Sequence, residues 1–474
     1  MLDLQRKQAI RHALQRALGI LAESGFVSYA GDYTFAMLFL KCISEGALQS
    51  STVLTIPDAS RFESLYTSRF QAGQQGHVDE ALALLEAANP TLGGVFEQIR
   101  FGSSGLGNEY ADRLIRRLIE EFADDALCFR GTAADVAPCV DFACDTLIDL
   151  AFEARRRSDD SFTPTEIAGV VSRIVSPVQG ETVCDPCCGV GTFLVACQRR
   201  VDGDLGLFGQ EMDGRTWAIA KMNLFMRGQL EQQIEWGDTL RYPRLLDSEG
   251  KLRKFDVVVS MPPLGARAWG QEEAIYDHYG RYRRGIPPRF SPEFAFISHM
   301  VETLDPLHGR LAVVVPFGVL FRGAAEKQIR ERLLRENLVD AVIALPPRLL
   351  GHTSIPLAIM VLRTGRAVSD VFFIDAGRAY EAGKTRNVLT EQHIERIEHT
   401  YRERQDVPRF ARKVSIEEIF SHETSLNVAR YVDVTEVEAP VNLAALNEER
   451  QFLIEELTEL EARMSVLLSR TGPP

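Results

Sequence analysis

The sequence predicts an α/β fold with three parts: an all-α N-terminal domain, a doubly wound Rossmann-like domain and a C-terminal helix of the coiled-coil type. Three observations support this prediction. Helical patterns without Gly-rich turns fill the first part, short apolar runs alternate with helical stretches from about residue 160, and a seam of apolar residues lies near the end. We place the domains at 1–150, 151–425 and 426–474.

The first part contains three amphipathic stretches in which apolar residues recur at intervals of three and four. They are "YTFAMLFLKCISEGAL" (Tyr33–Leu48), "DEALALLEAA" (Asp79–Ala88) and "EYADRLIRRLIEEFA" (Glu109–Ala123). Each predicts a helix.

The second part contains short runs typical of buried strands. They are "ETVCDP", "LGLFGQE", "QIEWGD", "FDVVVS", "RLAVVVP", "LVDAVIALP", "LAIMVLR" and "DVFFID". Strands that alternate with helices predict parallel βαβ units in a doubly wound sheet. Ligands of such sheets bind at the carboxyl ends of the strands.

The final segment predicts a helix with a narrow seam. Positions 446, 450, 453, 457, 460, 464 and 467 are Leu, Arg, Leu, Leu, Leu, Met and Leu, spaced three and four residues apart. This spacing is typical of a coiled coil with one polar interruption. The pattern fits a helix docked on its own domain and a helix that binds a partner equally well.

Composition limits the class of protein. The chain has 474 residues, a net charge of −13 and no apolar run long enough to span a membrane, so we expect a cytoplasmic protein without a membrane partner. The negative charge would repel a polyanion unless a local patch or a partner supplies positive charge. Cys184, Cys187 and Cys188 have the spacing of half a zinc site, but no second pair follows, so we expect no metal.

The most informative stretch is "ETVCDPCCGVGTFLVACQRR", where a strand ends at Asp185 and a loop with Gly189 and Gly191 leads into a helix near Thr192–Phe193. Glycines allow the backbone to approach a ligand closely. Glu211 ends the next strand about twenty residues on, where an acid can accept hydrogen bonds from a ribose.

This loop departs from a dinucleotide fingerprint, because Leu194 stands where the third glycine belongs. Asp238, at the end of "QIEWGD", could meet an adenine amino group. Three successive strand ends thus carry an acid, which favours a nucleoside cofactor with an amino-acid tail. The alternatives are that the acids only cap turns, or that the chain is a Rossmann-type dehydrogenase.

Several motifs resemble the S-adenosylmethionine-dependent DNA adenine-N6 methylases that form the modification (M) subunit of type I restriction-modification systems. They are "DPCCGVGTFL", "GQEMDGRTWAIAKMNLFMRG", "GDTL" and "MPPLG", in this order. The likeness extends over nearly the whole chain, through "YTFAMLFLKCISE", "SFTPTEIAGVVSRIV", "FAFISHMVETL", "GRLAVVVPFGVLFRG" and "LNVARY". It implies that the second part is a methyltransferase domain that transfers a methyl group from S-adenosylmethionine to adenine N6.

The resemblance also implies roles for individual residues. The following would contact the methionine end of the cofactor: Phe162, Thr163 and Pro164. Asp185, Gly189 and Gly191 would surround the cofactor, together with Thr192 and Phe193 at the helix start, while Glu211 would bind the ribose and Asp238 the adenine.

The methyl-acceptor turn departs from the family. The signature is Asn or Asp, two prolines and an aromatic residue, whereas this chain has Met261, Pro262, Pro263 and Leu264. A thioether is a weak hydrogen-bond acceptor, and leucine lacks the ring that stacks on a base. We therefore hold two hypotheses: a methyltransferase in which the Pro262 carbonyl and another polar group act instead, or a degenerate scaffold that binds the cofactor without catalysis.

"HYGRYRRGIPPRF" (His278–Phe290) follows this turn and combines arginines with aromatic residues, which suits DNA. The candidate DNA contacts are Arg267, Arg281, Arg283, Arg284 and Arg289. The alternative is that these arginines pair with the acidic remainder of the protein. The resemblance implies DNA, a specificity (S) subunit bound through Leu446–Leu467 and a second M subunit as partners, and leaves a restriction subunit open.

Overall fold

The computed structural model describes residues 2–23, 30–46, 54–104, 108–154, 163–265, 269–350, 353–434 and 443–470. The chain divides into two compact units, Met1–Val432 and Asp433–Pro474. The first unit contains a mixed α/β fold around a central sheet, as predicted.

Within the described ranges the sheet has nine strands, in the order β3-β2-β1-β4-β5-β7-β6-β8-β9. Their bounds are β1 Thr182–Asp185, β2 Gly206–Glu211, β3 Gln233–Trp236, β4 Val257–Ser260, β5 Arg310–Pro316, β6 Val339–Ala344, β7 Leu357–Arg363, β8 Asp370–Asp375 and β9 Ala411–Ser415. Every predicted strand is present. The sequence analysis missed β9, because "ARKVS" is a polar, partly exposed edge strand without an apolar run.

The prediction of parallel pairing holds for only part of the sheet. β1 to β5 pair in parallel, but β7 runs antiparallel to both of its neighbours, β5 and β6, and β9 runs antiparallel to β8. The reason lies in the β6–β7 connection, whose described residues contain no helix. Without a crossover helix the chain turns back directly, which gives an antiparallel pair.

The helices of the first unit flank this sheet or form the N-terminal region. Their bounds are α1 Leu4–Ala22, α2 Ala30–Ser44, α3 Phe62–Ser68, α4 Gln74–Ala88, α5 Asn108–Phe122, α6 Ala133–Ala154, α7 Thr165–Val175, α8 Thr192–Gln198, α9 Gly214–Met226, α10 Glu293–Glu302, α11 Ala324–Arg335, α12 Glu391–Glu403 and α13 Ile416–Ser421. α2, α4 and α5 confirm the three predicted helices.

The N-terminal helices share one hydrophobic core with the sheet domain. α2 is buried from Ala30 to Ile43 and packs against both α6 and α9. Arg227, just after α9, is buried and pairs with Asp141 and Asp145 of α6. The boundary near residue 150 therefore stays a prediction, and α6 runs across it.

The second unit contains α14, Leu443–Arg470, which confirms the predicted C-terminal helix. Several apolar side chains of the predicted seam are more than half exposed: Leu453, Leu457, Leu460, Met464 and Leu467. A search of the described helices finds none with the length and apolar character needed to cross a bilayer.

The parallel half of the sheet determines where a ligand can bind. β1 lies between β2 and β4, so the strand order reverses on either side of it. Such a reversal opens a crevice at the carboxyl ends of the strands. Because β1, β2, β3 and β4 are parallel, the chain segments that leave them all begin at this edge of the sheet.

Candidate active site

Asp185 ends β1 and is fully buried. Its Oδ1 accepts hydrogen bonds from Ser260 Oγ at 2.7 Å and from the Cys187 N–H at 3.0 Å. Its Oδ2 is buried and has no hydrogen-bond partner among the described residues. Burial raises the pKa of Asp185 to about 7, against the lowering effect of these two hydrogen bonds. A buried acid with one free oxygen can accept a donor group from a ligand.

Glu211 ends β2 and holds the glycine loop. Its Oε2 accepts the Gly189 N–H at 3.0 Å, and its Oε1 accepts the Asp213 N–H at 2.9 Å. Burial raises the pKa of the Glu211 carboxyl above its ordinary value. Gly189 and Gly191 have φ angles of 53° and 85°, in the region that favours glycine, so the loop requires this residue type at both positions.

Asp238 follows β3 and caps the next turn. Its Oδ1 accepts the N–H groups of Leu240 and Arg241 at 2.9 and 3.1 Å, and its Oδ2 lies 3.9 Å from Arg241 Nε. The capping role considered from the sequence is therefore present. The two capping hydrogen bonds use Oδ1 of Asp238. Its carboxylate remains partly exposed, at the same edge of the sheet as Asp185 and Glu211.

The turn after β4 is apolar. Met261 is 6% exposed and lies in the main hydrophobic core, and Leu264 packs against that core. Pro262 is buried and Pro263 is partly buried between them. Ser260, the residue before the turn, donates its hydroxyl to Asp185. The strong hydrogen-bond acceptors in residues 261–264 are therefore backbone carbonyls.

The other predicted cofactor residues differ in how much of their surface is exposed. Thr163 is buried, and Pro164 immediately precedes α7. Thr192 is partly exposed at the start of α8, whereas Phe193 belongs to the hydrophobic core. Phe162 and the candidate DNA contact Arg267 lie outside the described residues.

Two of the predicted DNA contacts do not fit that role. Arg281 pairs with Asp277 at 2.8 Å, and Arg284 pairs with Glu302 at 2.7 Å, and both guanidinium groups are buried. The sequence pattern of basic and aromatic residues does not distinguish a buried ion pair from a phosphate contact. The alternative reading, in which arginines pair with the acidic remainder, describes these two.

Arg283 and Arg289 remain exposed, although each also lies near an acid. Arg283 is 2.9 Å from Glu302. Arg289 is 3.5 Å from Glu272, and its guanidinium lies 5.7 Å from the centre of the exposed Phe290 ring. The side chains of these two arginines are exposed enough for a phosphate to contact them.

Sequence reasoning missed two residues that hold the site together. Ser260 bonds β4 to Asp185, and the Thr239 hydroxyl donates to the Pro186 carbonyl at 2.5 Å. Both lie next to residues that the motifs identify, Met261 and Asp238. Their partners are far away in the chain, so the sequence carries no signal for either bond.

The cysteines near the loop are largely removed from solvent. Burial raises the pKa values of the Cys184, Cys187 and Cys188 thiols well above their ordinary range. In the part of the chain that the structure describes, no group of three or more His, Cys, Asp or Glu side chains could hold a metal ion.

Comparison with known proteins identifies relatives of this chain and of its fold. A sequence profile of the family "N-6 DNA Methylase" matches residues 145–439. The type I restriction enzyme MjaVII methylase subunit of Methanocaldococcus jannaschii is 28% identical over 307 residues, which cover 60% of this chain and 52% of that subunit. The HindI methylase subunit of Haemophilus influenzae is 29% identical over 344 residues, covering 67% and 74% of the two chains.

A solved structure has the same fold. The type I restriction-modification system methyltransferase subunit from Streptococcus thermophilus aligns with a TM-score of 0.78 and 26% identity, over 90% of this chain and all of that chain. Against three M. jannaschii methylase subunits, the match spans only 52% to 59% of the relative's length.

Proposed function

Because the chain belongs to the N-6 DNA methylase family, we propose that it is the modification subunit of a type I restriction-modification-like complex. In this proposal it binds S-adenosylmethionine and presents it to adenine N6 in DNA, at a turn that supports methyl transfer poorly. The observation that carries the proposal is the contrast between three acids at the ends of β1, β2 and β3 and an apolar turn at the end of β4.

The residues present fit this cofactor. The free, buried Oδ2 of Asp185 offers an acceptor for a cationic or N–H donor. Glu211 keeps lone pairs for ribose hydroxyls beyond the two it gives to backbone N–H groups, and Asp238 keeps an oxygen for an adenine amino group. When bound, S-adenosylmethionine supplies an electrophilic methyl group on a sulfonium.

The chain's own groups would act mainly by positioning. Asp185, Glu211 and Asp238 would hold the methyl donor in one orientation, since a methyl transfer needs alignment more than acid-base chemistry. On the acceptor side, an adenine flipped out of the duplex would donate its amino N–H to the Pro262 carbonyl. The Met261 thioether adds little as an acceptor, and Leu264 would support the base without stacking.

The cost of these replacements is large. Loss of one aimed hydrogen bond in an active site lowers rates by roughly 10²–10³. Loss of base stacking removes about 1–3 kcal/mol. A second candidate therefore follows from the same turn: a catalytically degenerate subunit that binds the cofactor and serves as a scaffold in a DNA-binding complex.

Two measurements on one preparation test the proposal. Calorimetry should detect S-adenosylmethionine binding, and labelled-methyl transfer to DNA by the complex with its specificity subunit should be slow. Binding without any transfer supports the scaffold candidate, whereas fast transfer contradicts the assigned role of Met261 and Leu264. Absence of cofactor binding contradicts the whole proposal.

We also propose DNA and a specificity subunit as partners, with a second M subunit and, where the system includes one, a restriction subunit. The basis is the family resemblance, the net charge of −13 and the exposed seam of α14. A chain this acidic needs a partner to supply most phosphate contacts. This role places the protein in the cytoplasm, where its DNA substrate would be.

Deletion of residues 441–474 tests the docking role of α14. The shortened chain should no longer co-elute with the specificity subunit on a sizing column, while its affinity for S-adenosylmethionine stays that of the full chain. A matched variant that changes only the polar face, Glu455→Gln with Glu459→Gln, should keep the complex. Survival of the complex after deletion would contradict this docking site.

A further inference from the structure

We propose that Arg281 is a positioning residue for the cofactor site, joining the segment after the acceptor turn to the two loops that carry Asp185 and Asp238. This inference rests on the proposed function, because it concerns how S-adenosylmethionine is held. It assigns a role to an arginine that the sequence pattern had suggested for DNA.

The contacts of Arg281 all lie inside the protein. Its backbone N–H and its Nε both donate to the Asp277 carboxylate, at 2.6 and 2.8 Å. Its Nη1 lies 3.4 Å from the Thr239 carbonyl and 3.4 Å from His299 Nδ1. Burial, with a further effect from Arg281, lowers the pKa of His299 to about 3, so its ring is neutral and can accept. The guanidinium is thus fixed from three directions.

The Thr239 contact leads directly to the cofactor loops. Thr239 follows Asp238, the predicted adenine-binding acid, and its hydroxyl donates to the Pro186 carbonyl at 2.5 Å. Pro186 follows Asp185. A continuous chain of hydrogen bonds therefore runs from Asp277 through Arg281 and Thr239 to the loop after β1.

A small hydrophobic cluster supports the same junction. It contains Leu240, Trp269, Ala274, Tyr282, Ala295 and Phe296, with Cys187 packed against it. Leu240 and Cys187 come from the two cofactor loops, while Trp269 and Tyr282 come from the segment after the acceptor turn, with ring centres 5.4 Å apart. Apolar packing and the polar chain thus connect the same three pieces of backbone.

Arg284 provides a matched control three residues away. It is also buried and also pairs with carboxylates, Glu302 at 2.7 Å and Glu336 at 2.5 Å. These two glutamates lie at the ends of α10 and α11, outside the cofactor loops. Arg281→Ala leaves the buried Asp277 carboxylate without its arginine, and Arg284→Ala removes one of the two arginines that pair with Glu302, so both variants should lower the melting temperature. Only Arg281 should affect the cofactor.

The experiment measures S-adenosylmethionine affinity by calorimetry on the full chain and on three variants, with thermal unfolding recorded for each. Arg281→Ala should weaken binding roughly tenfold or more, as expected for loss of hydrogen bonds from a charged group. Thr239→Val, which keeps the side-chain shape and removes one hydroxyl, should weaken it about threefold to tenfold. Arg284→Ala should leave the affinity unchanged.

The outcomes separate this inference from the proposed function. If the wild type does not bind S-adenosylmethionine, the proposed function fails and this inference fails with it. If the wild type binds but Arg281→Ala and Thr239→Val bind as tightly as Arg284→Ala does, only the positioning role is overturned. Should Arg281→Ala fail to fold, the milder Thr239→Val decides by the same criterion.

Discussion

The two sides of the crevice differ in how their side chains are used. At the ends of β1 and β2, the buried Asp185 and the partly buried Glu211 accept hydrogen bonds from N–H and O–H groups, and Asp185 Oδ2 is left without a partner among the described residues. At the end of β4, Met261 and Leu264 lie in or against the hydrophobic core and bring no charged or amide group. One side presents carboxylate oxygens, whereas in residues 261–264 on the other side the strong acceptors are backbone carbonyls.

In the proposed function, this difference assigns the binding of the methyl donor and the activation of the methyl acceptor to separate residues. Buried acids are costly to keep without a use, because burial opposes their ionisation. Under the proposed function, these acids beside an apolar acceptor turn predict that cofactor binding survives even where methyl transfer is slow.

Restoring the family residues at the acceptor turn should have the largest effect. Met261→Asn with Leu264→Phe should raise methyl transfer roughly 10²–10³-fold, because the amide oxygen would accept from the adenine amino group and the ring would stack on the base. The measurement is labelled-methyl incorporation into DNA by the complex with its specificity subunit.

The single variant Met261→Leu is the control for packing, and it should leave transfer at its low starting rate. No gain in the double variant would place the defect elsewhere in the site and would remove the contrast between the two sides.

The cofactor side should respond in binding rather than in rate. Glu211→Gln puts an amide NH₂ group against either the Gly189 N–H or the Asp213 N–H, so residue 211 loses one of its two hydrogen bonds, either to the glycine loop or to the turn after β2. We expect S-adenosylmethionine affinity to fall about tenfold or more, as measured by calorimetry. An unchanged affinity would mean that this acid only closes the turn.

The raised pKa of Asp185 predicts that both the stability of the protein and its affinity for the cofactor depend on pH. Its pKa of about 7 in the folded protein exceeds the ordinary value near 4, so the folded state holds the proton more tightly. The free energy of unfolding should therefore decrease as pH rises from about 4 to about 7.

If ionised Asp185 pairs with a cationic group of the cofactor, affinity should instead rise over the same range, by at most about tenfold per pH unit. Calorimetry between pH 6 and 8 checks this, with Asp185→Asn as the variant that should flatten the slope. A flat profile in the wild type would show that the free oxygen does not face a cation.

The smallest effect is expected at the exposed edge of the segment after the acceptor turn. Arg289→Ala should weaken DNA binding by the complex a few-fold and reduce its salt slope by about one, as for loss of one phosphate contact. Arg61→Ala removes another surface arginine that pairs with a carboxylate, that of Asp58, and as the matched control it should change neither quantity. Equal behaviour of the two variants would remove Arg289 from the DNA surface.

The sequence predicted the strands, the glycine loop and the acids well, because each depends on local pattern. The apolar run of "FDVVVS" is enough to predict β4. The left-handed backbone angle at position 191 is enough to explain why a glycine stands there. The predicted parallel direction of β7 was wrong, because the direction of a strand depends on the connection that precedes it and not on its own residues. Arg281 and Arg284 were assigned to DNA because burial is a property of the folded chain, and the letters around an arginine do not reveal it.

The buried contact between α6 and the segment after α9 has a consequence for how this protein can be divided. Burial lowers the pKa of Arg227 to about 9, and its carboxylate partners, Asp141 and Asp145, come from the N-terminal region. A fragment that begins after residue 150 would carry this cation without its counterions and would bare the face of α9 that α2 covers. The N-terminal helices therefore complete the hydrophobic core around α9, and we expect a fragment that begins after residue 150 to have a lower free energy of unfolding than the full chain.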